Sequence, residues 1–289
     1  MLKTLKGKTL FISGGSRGIG LSIALRAACD GANIVIASKT ATPHPTLPGT
    51  IYTAASAIEA AGGRALPVVC DIRDEAQVEN AIGLAVETFG GLDICINNAS
   101  AVRLTSILDT RMKSFDLMHQ VNARGTFLVT QRALPHLLNA ENPHVLTISP
   151  PLLMEERWFA PHVGYTMSKY GMSLVTFGVA GEFRGRVGVN SLWPRTAINT
   201  AAMAEVGGYL QGRGCRDVAI MANAAWHVLT SDARTYTARF LVDDEVLAEN
   251  GVTDLSQYGP PGVADEDLTP DLFVTSLRQL RGLPDPGYP

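Results

Sequence analysis

Short runs of apolar and β-branched residues alternate along the chain with longer segments of helical pattern. The runs are Thr9–Ser13, Asn33–Ala37, Ala65–Cys70, Leu92–Asn97, His144–Ser149, Val187–Trp193 and Arg239–Asp243. Each reads as a buried strand. Glu75–Phe89 is the clearest intervening helix, because Val78, Ile82, Ala85, Val86 and Phe89 follow a 3.6-residue period. Seven strands separated by helices predict an α/β fold, a parallel sheet of about seven strands covered on both faces. Right-handed crossovers make it a doubly wound sheet. No polar linker and no internal repeat interrupts the chain before about residue 250, so one domain is expected over residues 1–250.

Two stretches break the rhythm. Lys39–Thr50 carries three prolines where a short turn from strand to helix would suffice. Residues 251–289 form a Pro-rich acidic extension with six acids, two bases and six of the sixteen prolines. The pattern leaves open whether it packs on the domain or moves.

The first strand runs into Ser13-Gly14-Gly15-Ser16-Arg17-Gly18-Ile19-Gly20 and then a helix. Glycines there let the backbone turn sharply and approach a pyrophosphate, while the helix N-terminus aims N–H groups at the anion. A tight turn of no function would look alike, but the position at the first strand-to-helix junction favours nucleotide binding. An NAD site places an acid at the end of the second strand, on the ribose 2′-hydroxyl. This chain has Ser38 and Lys39 there, and Arg17 within the glycine loop adds a second cation. Two cations and no acid suit a 2′-phosphate, so NADP(H) is the expected cofactor. Asp71, at the end of the third strand, is a candidate acceptor for the adenine amino group or else a cap on the following turn, and Ile72 accompanies it in the cofactor-binding set.

Composition narrows the class further. With 24 basic and 27 acidic residues the net charge is −3, which argues against a nucleic-acid partner. No apolar run approaches the ~18–20 residues of a membrane span. The four cysteines (Cys29, Cys70, Cys95 and Cys215) lack C-x-x-C spacing, and the six histidines lack ligand spacing. No disulfide framework and no metal site are expected, and a cytoplasmic location fits.

Tyr165-Thr166-Met167-Ser168-Lys169 opens a helical pattern. Residues four apart share a helix face, about 6 Å apart along the axis. A lysine ammonium beside a phenol favours the phenolate, so Tyr165 is a candidate general acid and base. Ser13-Gly14-x-x-x-Gly18-x-Gly20, Asn97-Asn98-Ala99, Asn122, Tyr165-x-x-x-Lys169 and Pro194 occur in the order seen in the short-chain dehydrogenases/reductases. The chain resembles that family from about Leu5 to Val242. The resemblance implies a Rossmann-type fold, a nicotinamide cofactor and hydride transfer. It implies Tyr165 as proton donor and acceptor, and Lys169 on the nicotinamide ribose, lowering the pKa of Tyr165. It further implies Asn122 holding a proton-relay water, and Asn98 lining the cofactor cleft with Ala99, Pro194 and Thr196, with Thr200 an alternative to Thr196.

Lys39–Pro67, Ile148–Pro151, Tyr165–Ser173 and Leu192–Met203 resemble one branch of the family more closely. Animal members of that branch carry a sterol-carrier domain and a peroxisomal signal. The chain stops at Gly287-Tyr288-Pro289, so neither property is expected to carry over.

Two positions depart from the family pattern. Its serine after the fifth strand is replaced by Pro150, which has no hydroxyl, leaving the preceding Ser149 as the candidate substitute. Arg195 stands where the family has glycine. Leu152, Leu153, Met154, Trp158 and Phe159 either line a substrate pocket or pack under a loop. With Ala201, Ala202 and Met203 they suggest an apolar substrate. The expected activity is an NADP-dependent oxidoreductase acting on the carbonyl or alcohol of an apolar small molecule, in a homodimer or homotetramer. Two alternatives are an NADPH-binding sensor or scaffold with little catalysis, favoured by Pro150, and an epimerase or dehydratase, disfavoured by the glycine spacing.

Overall fold

A computed structural model describes residues 3–203 and 214–283; the last six residues of the extension lie outside them. Seven strands form one parallel sheet in the order β3-β2-β1-β4-β5-β6-β7. They are β1 (Thr9–Ser13), β2 (Asn33–Ser38), β3 (Arg64–Val69), β4 (Ile94–Asn97), β5 (His144–Ile148), β6 (Gly188–Trp193) and β7 (Phe240–Val242). The strand order reverses between β1 and β4. In such sheets the crevice at the carboxyl ends beside that switch is where ligands bind. All seven expected strands are present, each within two residues of its expected bounds.

Side chains alternate between the two faces, as strand geometry requires. Leu10, Ile12, Ile34, Ile36, Ile94 and Ile96 pack in one buried cluster with Ile23, Ala24 and Ala27 of α1 (Gly18–Ala28) and Ile51 and Ile58 of α2 (Ile51–Ala60). Phe11, Val35, Cys95 and Val145 pack in the other, against Val78 and Ile82 of α3 (Glu75–Phe89). The apolar stripe of α3 seen in the sequence is thus its sheet-facing side. Asp74 caps that helix by accepting from Gln77 N at 3.1 Å, which fixes where it starts.

Further along come α4 (Met112–His119), a wider turn at Gln120–Arg124, α5 (Gly125–Leu137) and α6 (Val163–Glu182). After them come α7 (Ala219–Leu229), α8 (Asp243–Glu249) and the short α9 (Leu277–Leu280). No described helix is long and apolar enough to cross a membrane.

The segment after Gly251 folds back over the carboxyl ends of β6 and β7. Asp217 N donates to Tyr258 O at 2.7 Å, Ala197 N to Thr269 O at 2.8 Å, and Asp271 N to Arg195 O at 3.0 Å. Thr196 bridges Pro270 in antiparallel fashion. Arg195, almost fully buried, ties the segment to α8 by its side chain: Nη1 donates to Thr275 O at 3.1 Å, while Nε lies 2.9 Å from Asp244 Oδ2 and Nη2 pairs with Glu245. A glycine there would offer none of these bonds, so the departure at Arg195 has a structural role.

Candidate active site

The carboxyl ends of β1, β2, β4, β5 and β6 open into one cavity of about 500 Å³. The glycine loop forms one wall. Gly14 and Gly18 have φ of 69° and 56°, in the left-handed region that favours glycine. A Cβ on Gly20 would stand 2.5 Å from Asn98 Nδ2 and 2.8 Å from Gly14 O. Gly20 is therefore needed for close packing, and neither it nor Gly15 lines the cavity. Asn98 braces the loop, donating from Nδ2 to Ser13 O at 3.1 Å and Gly14 O at 3.0 Å. Arg17 precedes α1 with no side-chain cap, and no acid occupies the first turn. The N–H groups of that turn are free of a competing carboxylate, as an incoming phosphate requires.

Ser38, Lys39 and Thr40 line the cavity wall at the end of β2. Lys39 Nζ is exposed and 3.8 Å from Asp71 Oδ2. Asp71 accepts from Arg73 N at 3.1 Å and from its guanidinium at 2.6 Å, so it does cap the turn while also lining the cavity with Ile72. The Arg73 guanidinium holds the Asp71 carboxyl below its ordinary value. The proline-bearing stretch after β2 has a definite place. Thr50 and Thr53 form a capping box on α2, and Arg17 Nη2 donates to Gly49 O at 3.3 Å. The stretch thus closes against the glycine loop.

Tyr165 and Lys169 lie one turn apart on α6 and both line the cavity, as do Ile148, Trp193 and Pro194. Lys169 Nζ donates to Ile148 O at 2.7 Å and sits 4.8 Å from the centre of the Trp193 ring. Burial, with the charge of Asp271 added, pushes the Tyr165 phenol above its ordinary value. Burial also lowers Lys169 to about 7, against the pull of Asp271. At both groups desolvation is the largest influence, and the nearby charge that acts on each is that of Asp271. Tyr165 is held as the neutral phenol.

Three sequence candidates stand elsewhere. Ser149 is fully buried, its Oγ has no hydrogen-bond partner among the described residues, and it does not line the cavity. Asn122 is also fully buried. Its Oδ1 accepts from Ala101 N at 2.8 Å, while Nδ2 donates to Ala101 O and Ser168 Oγ, both at 2.9 Å. Since Ser168 Oγ donates to Tyr165 O, the Asn122 side chain ties down the turn of α6 that carries the tyrosine instead of facing the cavity. Thr196 is taken up by the C-terminal segment, and Thr200 lines the cavity in its place. Of the apolar cluster, Trp158 is buried against Phe273, Leu152, Leu153 and Phe159 pack on the core, and Met154 is exposed. None of the five lines the cavity, and the four other than Met154 are loop packing. Ala201, Ala202 and Met203 do reach the cavity. Sequence reasoning missed Asp271 and Leu272, which line the cavity from the extension. No motif marks them, and only the fold brings them there.

The chain matches the short chain dehydrogenase family profile over residues 8–208. It belongs to the short-chain dehydrogenases. The family is one of oxidoreductases that use a nicotinamide cofactor. The chain is 53% identical to hydroxysteroid dehydrogenase-like protein 2 of Danio rerio over 271 residues, 93% of this chain and 64% of that one. It is 50% identical to the Homo sapiens protein of that name over the same shares. This short-chain dehydrogenase therefore spans under two thirds of the length of those relatives. Among solved structures it is similar to a short chain dehydrogenase from Mycobacterium thermoresistibile (TM-score 0.88, 49% identity, 99% of each chain). It is also similar to one from Burkholderia cenocepacia solved in complex with NADP (TM-score 0.69, 27% identity, 82% of this chain and 96% of that one).

Proposed function

We propose that this short-chain dehydrogenase moves hydride between NADP(H) and the carbonyl or alcohol of an apolar, lipid-, acyl- or steroid-like small molecule, with Tyr165 as general acid and base. The observation that carries the reading is one continuous cavity with Lys39 at the end of β2 and Tyr165 and Lys169 beside the end of β5. Those strands are three spacings apart, about 14 Å, which suits a dinucleotide laid across β1 and β4. The glycine cradle and the uncapped start of α1 fit a pyrophosphate. Arg17 and Lys39, with no acid at the end of β2, fit a 2′-phosphate. The NADP bound by the Burkholderia cenocepacia relative agrees with this preference.

A bound nicotinamide supplies the hydride. Gly14, Ser16, Gly18 and Ile19 would hold the phosphates, Asp71 and Ile72 the adenine, and Lys169 the nicotinamide ribose. Tyr165, neutral because it is buried, carries the proton that a reduced carbonyl oxygen takes up, and its oxyanion takes a proton from an alcohol in the reverse direction. Val102, Leu117, Val121, Met203 and Leu272 give the cavity an apolar side that excludes water and accepts a hydrocarbon substrate. Phe127, Met167, Leu174 and Phe177 are exposed on α5 and α6, an apolar surface that supports a homodimer or homotetramer.

Following NADPH oxidation with long-chain aldehydes, ketosteroids and 3-oxoacyl thioesters tests this reading. Reduction of one class supports it. Tight NADPH binding without turnover of any would favour a nicotinamide-binding sensor or scaffold, the reading for which Pro150 speaks.

A further inference from the structure

Strand β5 is followed by Ser149, which is buried and does not line the cavity, and by Pro150, which has no hydroxyl. Beside Tyr165 the site therefore lacks a hydroxyl donor from that strand. The C-terminal segment delivers a different polar group to the same place. Asp271 lines the cavity together with Tyr165, Lys169, Ile148 and Trp193. Its backbone is fixed on both sides: Asp271 N donates to Arg195 O at 3.0 Å, and Trp193 Nε1 donates to Leu272 O at 2.7 Å. Its Oδ1 accepts from Leu272 N at 2.7 Å, which orients the carboxyl. The next residue, Phe273, is buried among Tyr165, Tyr170 and Trp193, so the segment is anchored directly beside the tyrosine.

We infer that Asp271 is a catalytic residue, its carboxyl donating a hydrogen bond to the substrate oxygen beside the Tyr165 hydroxyl. The inference rests on the hydride-transfer reading above. A carboxyl donates only when protonated, and its surroundings favour that form. Burial pushes Asp271 up to about 7, against the hydrogen bond from Leu272 N, with the charge of Asp243 adding and Lys169 and the Trp193 indole opposing. The titratable groups facing it are Tyr165 and Lys169 on α6, Asp243 at the start of α8, and Cys215. A carboxylic acid kept neutral by an apolar site is an effective donor to a developing oxyanion. In carbonyl reduction the new C–H bond takes the hydride and the oxygen takes the Tyr165 proton. Asp271 keeps its own proton and stabilises the charge on the oxygen as it develops.

Three full-length proteins test this: wild type, Asp271→Ala and Asp271→Asn, each assayed on the panel substrate that wild type reduces fastest. The alanine variant is expected to lose about 10²–10³ in kcat with NADPH affinity unchanged by fluorescence titration. The asparagine keeps an acceptor for Leu272 N and an N–H donor for the substrate, and is expected to stay within about tenfold of wild type. An alanine variant as fast as wild type overturns the role of Asp271 alone. So does an asparagine variant as slow as the alanine one when both melt like wild type. A wild type that reduces nothing in the panel overturns the hydride-transfer reading and this inference with it. A second measurement needs no turnover. Burial also raises Asp243 to about 7, so the infrared carbonyl absorption of protonated carboxyls at about pH 6 is expected to lose one component and keep another in Asp271→Asn, and a spectrum identical to wild type would overturn the inference.

Discussion

Replacing Phe273 by Ala probes how firmly the C-terminal segment belongs to the site. The ring is fully buried, with its centre 5.5 Å from that of Tyr170, 5.9 Å from Trp158 and His162, 6.0 Å from Trp193 and 6.1 Å from Tyr165. Truncating a buried phenylalanine costs about 3–5 kcal/mol, because the cavity it leaves closes only in part. The backbone adds a second effect. Phe273 has φ of 67°, a left-handed conformation that strains a side-chain-bearing residue by about 1–2 kcal/mol. Alanine loses the ring and keeps the strain, whereas glycine loses both. Phe273→Ala is therefore expected to lower stability by about 4 kcal/mol, on the order of 10 °C in Tm. Phe273→Gly is expected to be no less stable than Phe273→Ala, although glycine ordinarily trails alanine by about 0.5–1 kcal/mol in regular structure. Urea denaturation and thermal melting of both variants measure this. An alanine variant within about 1 kcal/mol of wild type, or a glycine variant below it by the ordinary margin, would refute the packing argument.

Further substitutions address the cofactor site, acid stability and assembly. Lys39→Glu is expected to weaken NADPH binding by about 2 kcal/mol or more, roughly 30-fold, since it removes a charge-assisted contact and sets like charges together. NADH affinity should change little, and equal losses in parallel titrations would contradict the 2′-phosphate assignment. Gly20→Ala drives a methyl into Asn98 Nδ2 and Gly14 O, so binding of either nicotinamide cofactor should collapse while the fold survives by circular dichroism. Burial holds His144 at about 4, below its ordinary 6.5, so the unfolded chain takes up a proton there before the folded one does. Its contribution to stability is full above pH 6.5 and falls by about 3 kcal/mol as pH drops to 4. His144→Gln should show a correspondingly shallower loss between pH 7 and 5 in urea titrations, and an unchanged slope would refute the assignment. Light scattering of wild type and Phe177→Glu is expected to show an oligomer reduced to smaller species by the charge, and identical masses would count against the α5 and α6 face.

The sheet was legible because its strands are buried on both sides. Such strands read as unbroken apolar runs, and the stripe of α3 identifies the face it covers. The glycine loop and the Tyr165–Lys169 pair were legible for a similar reason: each is local, with backbone and side chains set by residues within a turn of one another. Burial at the site was not. The neutral state of Tyr165 depends on how completely α6 and the C-terminal segment exclude water, which no spacing records. The same holds for Ser149, which is buried along with Pro150 and does not line the cavity, and for Asn122, whose side chain is consumed by Ala101 and Ser168. Asp271 was illegible because it reaches the cavity from a stretch over a hundred residues beyond Tyr165. It is held there by Arg195 and Trp193, contacts that exist only after β6 and the segment have met.

Steady-state NADPH oxidation by wild type and Tyr165→Phe, on the substrate class that wild type reduces, tests the central claim most directly. The account predicts turnover by wild type that is lost in the variant, while NADPH affinity and melting temperature stay as they were. A variant that reduces the same substrate at the wild-type rate would contradict the assignment of Tyr165 as the proton donor.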